Sequence, residues 1–149
     1  MNITTPTNKE LNLLLNYFHE GKLYDAEELA LSISNKFPEH EYSWRVLGAI
    51  YQKQNRKKEA LNANKKALNI APNNAEILNN LGVTLSDLKE YKKAEESFSK
   101  ALLINSNYAE AHYNLANTLK KLGRLDQAEI NYFKAINLKP NFVLAYNNL

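Results

Sequence analysis

The chain has 149 residues, of which 44% are apolar and 23% charged, a balance that excludes global disorder and suits a domain of ordinary size. The formal net charge of +3 is too small to indicate a nucleic-acid-binding protein, so no nucleic-acid partner is expected. The sequence contains no cysteine, which excludes disulfides, thiolate metal sites and a cysteine nucleophile.

Residues 1–10 are polar and lack the apolar stretch of a signal peptide. Nowhere does the sequence hold the run of about 18 apolar residues that a membrane-spanning helix needs. We therefore expect no membrane partner, and the cytoplasm is the expected compartment.

A period of 34 residues runs along the chain, and a fixed period of this length is typical of stacked helical hairpins. It divides the sequence into repeats 7–40, 41–74, 75–108 and 109–142, with the start of a fifth at 143–149. The residues that recur at this interval are Pro38, Pro72, Ser106 and Pro140; Ala26, Ala60, Ala94 and Ala128; and Leu13, Leu47, Leu81, Leu115 and Leu149.

Each repeat has the pattern of two amphipathic helices, which is clearest in the third. Ile77, Leu81 and Leu85 recur at helical spacing, and this predicts a first helix from Ala75 to about residue 89, capped by residue 73 or 74. A second apolar stripe predicts a helix that begins near Tyr91 and ends before residue 105.

The turn between the two helices calls for a residue in the left-handed conformation. Gly21, Asn55 and Gly123 suit that position, whereas Lys89 suits it poorly and predicts a different turn in the third repeat. Small residues at Gly48, Gly82 and Ala116 indicate close approach of paired helices. Asn64 replaces a bulky residue and is expected to loosen its hairpin.

These residues resemble the tetratricopeptide repeat. The resemblance implies an all-α fold, a right-handed α-solenoid of antiparallel helical hairpins (a tetratricopeptide-repeat superhelix), and a single domain over residues 1–149. Glu10 and Leu14 depart from the pattern and favour a degenerate N-terminal cap. The second repeat shows the pattern best, with Trp44, Leu47, Gly48, Tyr51, Ala60, Ala67 and Pro72.

The resemblance also implies a concave groove lined by the first helix of every repeat, where a peptide would bind. The candidate peptide-binding residues are Asn12, Arg45, Gln52, Asn79, Asn80, Tyr113, Asn114, Asn117, Lys120 and Asn148.

Asparagine recurs at one groove position, at Asn12, Asn80, Asn114 and Asn148, with Val46 interrupting the series. An amide has both a donor and an acceptor, so such a row can hold the backbone of an extended peptide. The row resembles the asparagine ladder of O-linked N-acetylglucosamine transferases; the alternative is that these amides are merely solvated. The carboxylate clamp that binds chaperone tails is not expected, because its positions hold Leu11, Leu15, Ala49, Asn79 and Val83.

No residue pattern indicates catalysis, a cofactor or a metal, so we expect a protein that is not an enzyme. His19, His40 and His112 have no second ligand at a metal-binding spacing on the same helix. The acidic pairs at 27–28 and 95–96 are expected to form a solvated surface, whereas basic residues beside the groove could attract an acidic partner.

The leading hypothesis is a protein–protein interaction module, a scaffold or adaptor that binds an extended peptide or a partner helix in the groove. A first alternative is the N-terminal, substrate-recruiting arm of a larger enzyme such as a glycosyltransferase. A second is a homo-oligomer formed through the uncovered C-terminal helix, where Val143, Ala145, Tyr146 and Leu149 form an apolar set.

Overall fold

The computed structural model describes residues 5–149, so residues 1–4 of the polar N-terminal stretch lie outside the described part. Within residues 5–149 every regular element is an α-helix, and this confirms the predicted all-α fold of repeated helical hairpins. The helices are α1 (Asn8–His19), α2 (Leu23–Lys36), α3 (Glu41–Lys53), α4 (Lys57–Ile70), α5 (Ala75–Asp87), α6 (Tyr91–Ile104), α7 (Ala109–Lys121), α8 (Leu125–Leu138) and α9 (Val143–Asn148).

The chain divides into two compact units, with the boundary between Pro72 and Asn73. The first unit contains the hairpins α1–α2 and α3–α4, and α3 also packs on α2. The second contains α5–α6 and α7–α8, with α7 packed on both α5 and α6, and α9 on α8. Over the described residues no helix has the length and hydropathy needed to cross a membrane.

The turn inside each hairpin has the same left-handed geometry throughout. The φ angles are 74° at Gly21, 58° at Asn55, 62° at Lys89 and 75° at Gly123. The expectation of a different turn at Lys89 is therefore wrong. Two backbone hydrogen bonds close this turn, from residue 89 to the Ser86 carbonyl (2.9 Å) and from residue 90 back to residue 85 (2.9 Å), so the motif holds Lys89 in place without glycine.

Glycine allows close helix approach in two hairpins. A Cβ added at Gly82 would lie 2.6 Å from Cε1 of the buried Phe98. A Cβ at Gly48 would overlap the Asn64 side chain, which is fully buried. Asn64 therefore fills the space over Gly48, and the expected loosening of that hairpin is absent.

The first repeat departs from the phase of the others. Leu14 is fully buried, whereas Leu13, which is in phase with the later leucines, is 40% exposed. Helix α1 begins with a capping box, since Thr7 Oγ1 accepts from the Glu10 amide (3.2 Å) and the Glu10 carboxylate accepts from the Thr7 amide (2.9 Å). The Thr-x-x-Glu spacing that forms this cap is visible in the sequence.

Candidate functional site

Two separate pairs of hydrogen-bonded amides link the first helices of the second unit. Asn114 Nδ2 on α7 donates to Asn79 Oδ1 on α5 at 3.0 Å. Asn148 Nδ2 on α9 donates to Asn117 Oδ1 at 3.2 Å and to the Tyr113 hydroxyl at 3.0 Å, both on α7. We name Asn79, Asn114, Asn117 and Asn148 the amide row. It joins three successive first helices.

Asn79 differs from its predicted role. It was expected to face the groove, but it is only 6% exposed, and its oxygen accepts the bond from Asn114. Helix α7 packs against α5 at this point and covers the side chain. Asn79 therefore orients Asn114 and is not available to a peptide.

Asn114 keeps hydrogen-bonding capacity for a ligand. A side-chain amide has two N–H donors and one oxygen with two lone pairs. Asn114 is half-buried and uses one N–H on Asn79, while its Oδ1 accepts no bond from residues 5–149. One donor and one acceptor therefore remain on a side chain of fixed orientation. Asn80 occupies the same repeat position as Asn114, one repeat earlier, and is also half-buried.

Aromatic packing fixes the other end of the row. The Tyr132 hydroxyl donates to Asn117 Oδ1 at 2.6 Å, and burial, with a smaller contribution from Tyr113, raises the pKa of this hydroxyl. The Tyr113 ring lies 4.8 Å from the Phe142 ring and 6.1 Å from that of Tyr132, measured between centroids. Tyr132 thus remains a neutral donor and holds Asn117 in position.

Charged side chains stand beside the row. Lys120 is exposed, and its Nζ donates to the Asn148 carbonyl at 3.2 Å. Lys139 Nζ lies 2.7 Å from Glu110 Oε1, and this hydrogen bond lowers the pKa of the Glu110 carboxyl. Lys120 is therefore the predicted site residue with an ammonium group open to solvent at this surface.

The predicted site residues of the first unit have a different environment. Asn12 is exposed and Gln52 half-buried. Arg45 Nε lies 3.4 Å from Glu41 Oε2, and its guanidinium lies 4.9 Å from the Tyr42 ring centroid. The charge of Arg45 is thus balanced within its own helix, which weakens its attraction for an acidic partner. That one row of binding residues runs through both units stays a prediction.

The acidic pairs are not simply solvated. Arg56 Nη1 lies 2.7 Å from Glu27 Oε2, and Arg124 Nη1 lies 2.6 Å from Glu95 Oε1. Each contact joins a second helix to the turn of the next hairpin, at the same repeat position. Glu59, and then Glu27, raise the pKa of the Arg56 guanidinium. The expectation holds only for the exposed outer members of the pairs, residues 28 and 96.

His112 lies in the wall of the second unit and is 7% exposed. Its Nδ1 is 2.9 Å from Asn131 Oδ1, and its Nε2 is 3.1 Å from the Ser106 carbonyl oxygen. In the described part of the chain, histidines and carboxylates form no group of three that could hold a metal ion.

Comparisons with known proteins agree with the helical-repeat fold. The model of the family "Tetratricopeptide repeat" matches residues 75–108 and 109–142, and the model "TPR repeat" matches residues 48–88. Among curated proteins no sequence matches the chain.

Solved structures share the fold. MamA is 25% identical with a TM-score of 0.79, over 89% of this chain and 78% of MamA. PilF of Pseudomonas aeruginosa is 22% identical with a TM-score of 0.87, over 95% of this chain. This chain covers 64% of PilF, less than two thirds of its length. The first TPR of Spaghetti, bound to the HSP90 peptide SRMEEVD, is 26% identical with a TM-score of 0.71, over 73% of this chain and 86% of that domain.

Proposed function

Residues 48–142 of the chain are tetratricopeptide repeats, and from this premise we propose that the chain is a protein–protein interaction module. It binds an extended peptide segment of a partner along the amide row of the second unit. The observation that carries the proposal is the bond between Asn114 and Asn79, which orients a half-buried amide and leaves it one donor and one acceptor.

The spacing of the row suits an extended backbone. Packed helices stand about 8–10 Å apart. An extended chain rises about 3.3 Å per residue, so amides on successive first helices meet roughly every third peptide residue. Asn114 then offers a donor and an acceptor to the peptide backbone, whereas the buried Asn79 offers neither and only orients Asn114. Recognition of this kind depends on backbone and only weakly on side chains.

Peptide binding by a related fold supports the proposal. The Spaghetti domain is bound to a peptide, and this chain aligns with 86% of that domain. The peptide recognised here is of another kind, because apolar and small residues, with one asparagine, hold the positions of the carboxylate clamp. The partner peptide would therefore contact side-chain amides and Lys120, whereas a domain with a carboxylate clamp binds its peptide through several cationic side chains.

The experiment starts from a random peptide library displayed on phage and selected on the full chain. A selected peptide is then labelled, and its affinity is measured by fluorescence anisotropy for the wild type, Asn114→Ala and the control Asn62→Ala, an exposed asparagine of α4. Loss of two hydrogen bonds predicts an affinity about tenfold weaker or more for Asn114→Ala alone.

Two further arms test the mode of recognition. A scrambled peptide of the same composition should bind within a few-fold of the original, because its backbone is unchanged. N-methylation of alternate backbone amides should abolish binding. Equal affinity for wild type and Asn114→Ala, or full binding by the N-methylated peptide, would overturn the proposal.

A second candidate function is self-association through α9. Its side chains Val143, Leu144 and Tyr146 are 64%, 57% and 53% exposed, which leaves an apolar face on a six-residue helix. We expect sedimentation of the full chain to show a dimer that Leu144→Lys dissociates. A monomer at every concentration would contradict this. The alternative of an enzyme's recruiting arm stays a prediction.

A further inference from the structure

A pocket of about 720 Å³ opens on the second unit between α6 and α8. Its volume is in the range of roughly 300–1,000 Å³ that small-ligand sites occupy. Apolar walls come from Leu102 and Leu138, and the buried side chains His112 and Leu115 line it as well. No member of the amide row lines the pocket, so it is a separate site within the described residues.

The first unit contains an aromatic side chain at the equivalent place. Trp44 precedes His112 by two repeat periods. The Trp44 indole Nε1 donates to the Pro38 carbonyl at 3.1 Å, and His112 Nε2 lies at the same distance from the carbonyl of Ser106. A carbonyl oxygen only accepts, so the Nε2 proton of His112 makes the donation that the indole makes in the first unit. The imidazole thus replaces a larger ring.

A lysine occupies the same repeat position in both units, next to Trp44 in the first unit and next to the pocket in the second. In the first unit Lys66 Nζ lies 4.0 Å from the centroid of the Trp44 ring, a cation–π contact. Lys134 occupies the same repeat position in the second unit, where it lines the pocket and is exposed. In the first unit a protein aromatic ring therefore lies under this lysine, and in the second unit a pocket lies beside it.

The charged side chain that lines the pocket is positive. Among the described residues that line it, Lys134 is a full cation and none is a carboxylate. Asparagine and serine side chains at Asn107, Asn137 and Ser99 supply hydrogen-bonding groups at the rim. An aromatic group with an adjoining negative charge is the ligand chemistry that complements this lining.

We propose that the pocket between α6 and α8 binds an aromatic side chain of a partner protein that is followed by a carboxylate side chain. The ring contacts Leu102 and Leu138 and lies under the Lys134 ammonium, as the Trp44 ring lies under Lys66. The carboxylate pairs with Lys134 and the rim amides. This site acts independently of the amide row and gives the partner a second point of attachment.

The test uses the full chain labelled with ¹⁵N and the probe acetyl-Trp-Glu-amide, followed by two-dimensional NMR. Acetyl-Trp-Lys-amide and acetyl-Leu-Glu-amide are matched probes that reverse the charge or remove the ring. The blocking variant is His112→Trp with Asn131→Ala, which copies the Trp44 and Ala63 pair of the first unit. Lys134→Gln removes the cation, and Lys100→Gln, an exposed lysine outside the pocket, is its control.

The expected result is saturable shifts of the Asn131 and Asn137 side-chain amides with acetyl-Trp-Glu-amide and at least about tenfold weaker binding of the two matched probes. The blocking variant should bind none, and Lys134→Gln should bind more weakly than Lys100→Gln, which should equal wild type. Absence of shifts in the wild type, equal binding of all probes, or unchanged binding by Lys134→Gln would overturn the proposal. Tighter binding of free indole-3-acetate than of the dipeptide would overturn the assignment to a protein partner.

Discussion

Replacement of Gly82 by alanine should destabilise the second unit although alanine is the better helix former. The new methyl would lie 2.6–2.8 Å from three carbons of the Phe98 ring, which is 1% exposed and has no room to turn away. Overpacking of this kind costs about 1–3 kcal/mol, and the gain in helix propensity returns about 0.5–1 kcal/mol. We expect the free energy of unfolding to fall by about 1 kcal/mol, the difference between the middles of these two ranges.

Urea unfolding of the full chain, followed by circular dichroism, measures this change, and a double-mutant cycle tests its cause. Phe98→Leu removes the ring that the methyl would meet, so Gly82→Ala should cost about 1 kcal/mol less in that background. A rise in stability for Gly82→Ala alone would show that helix propensity outweighs the steric conflict. An equal cost in both backgrounds would refute the assigned contact with Phe98.

Three further predictions follow from single contacts. Lys89→Gly should raise the free energy of unfolding by about 0.5–1 kcal/mol, because φ is 62° there and glycine removes the left-handed strain; a loss in urea unfolding would contradict this. Asn114→Ala should lower the free energy of unfolding by about 1–3 kcal/mol in the same assay, because it leaves the buried Asn79 oxygen without its donor. An unchanged free energy of unfolding would show that this hydrogen bond does not stabilise the fold. The Glu110 carboxyl has its pKa lowered below 4.5 by Lys139, so the stabilisation from this pair is present above pH 4.5 and is lost as pH falls through the lowered pKa; an NMR titration should show this pKa rising in Lys139→Met, and an unchanged value would contradict the pairing.

The hairpins were predictable because their causes are local. Apolar residues at helical spacing and the 34-residue period placed α5 and α6 to within two residues, from Ala75 and Tyr91 onward. Asn74, one of the two predicted capping residues, caps α5, with its Oδ1 accepting from the amides of residues 76 and 77. Residue preference alone gives the wrong turn at Lys89, because two backbone hydrogen bonds close the motif there without a glycine.

The pairing within the amide row could not be predicted from local sequence. Asn79 and Asn80 are neighbours about 100° apart on one helix, and both were placed in the groove from the repeat pattern. Only the packing of α7 against α5 buries Asn79 at 6% exposure and gives it Asn114 as a partner, 35 residues away.

The sequence by itself determined the repeat, its helices and the positions of its turns, because helix periodicity and backbone capping act over a few residues. Tertiary structure alone decided which amides pair, which glutamates bind arginine and where His112 leaves a pocket beside Lys134. Those contacts join residues 19 to 35 positions apart, and their geometry depends on how closely one helix lies against the next.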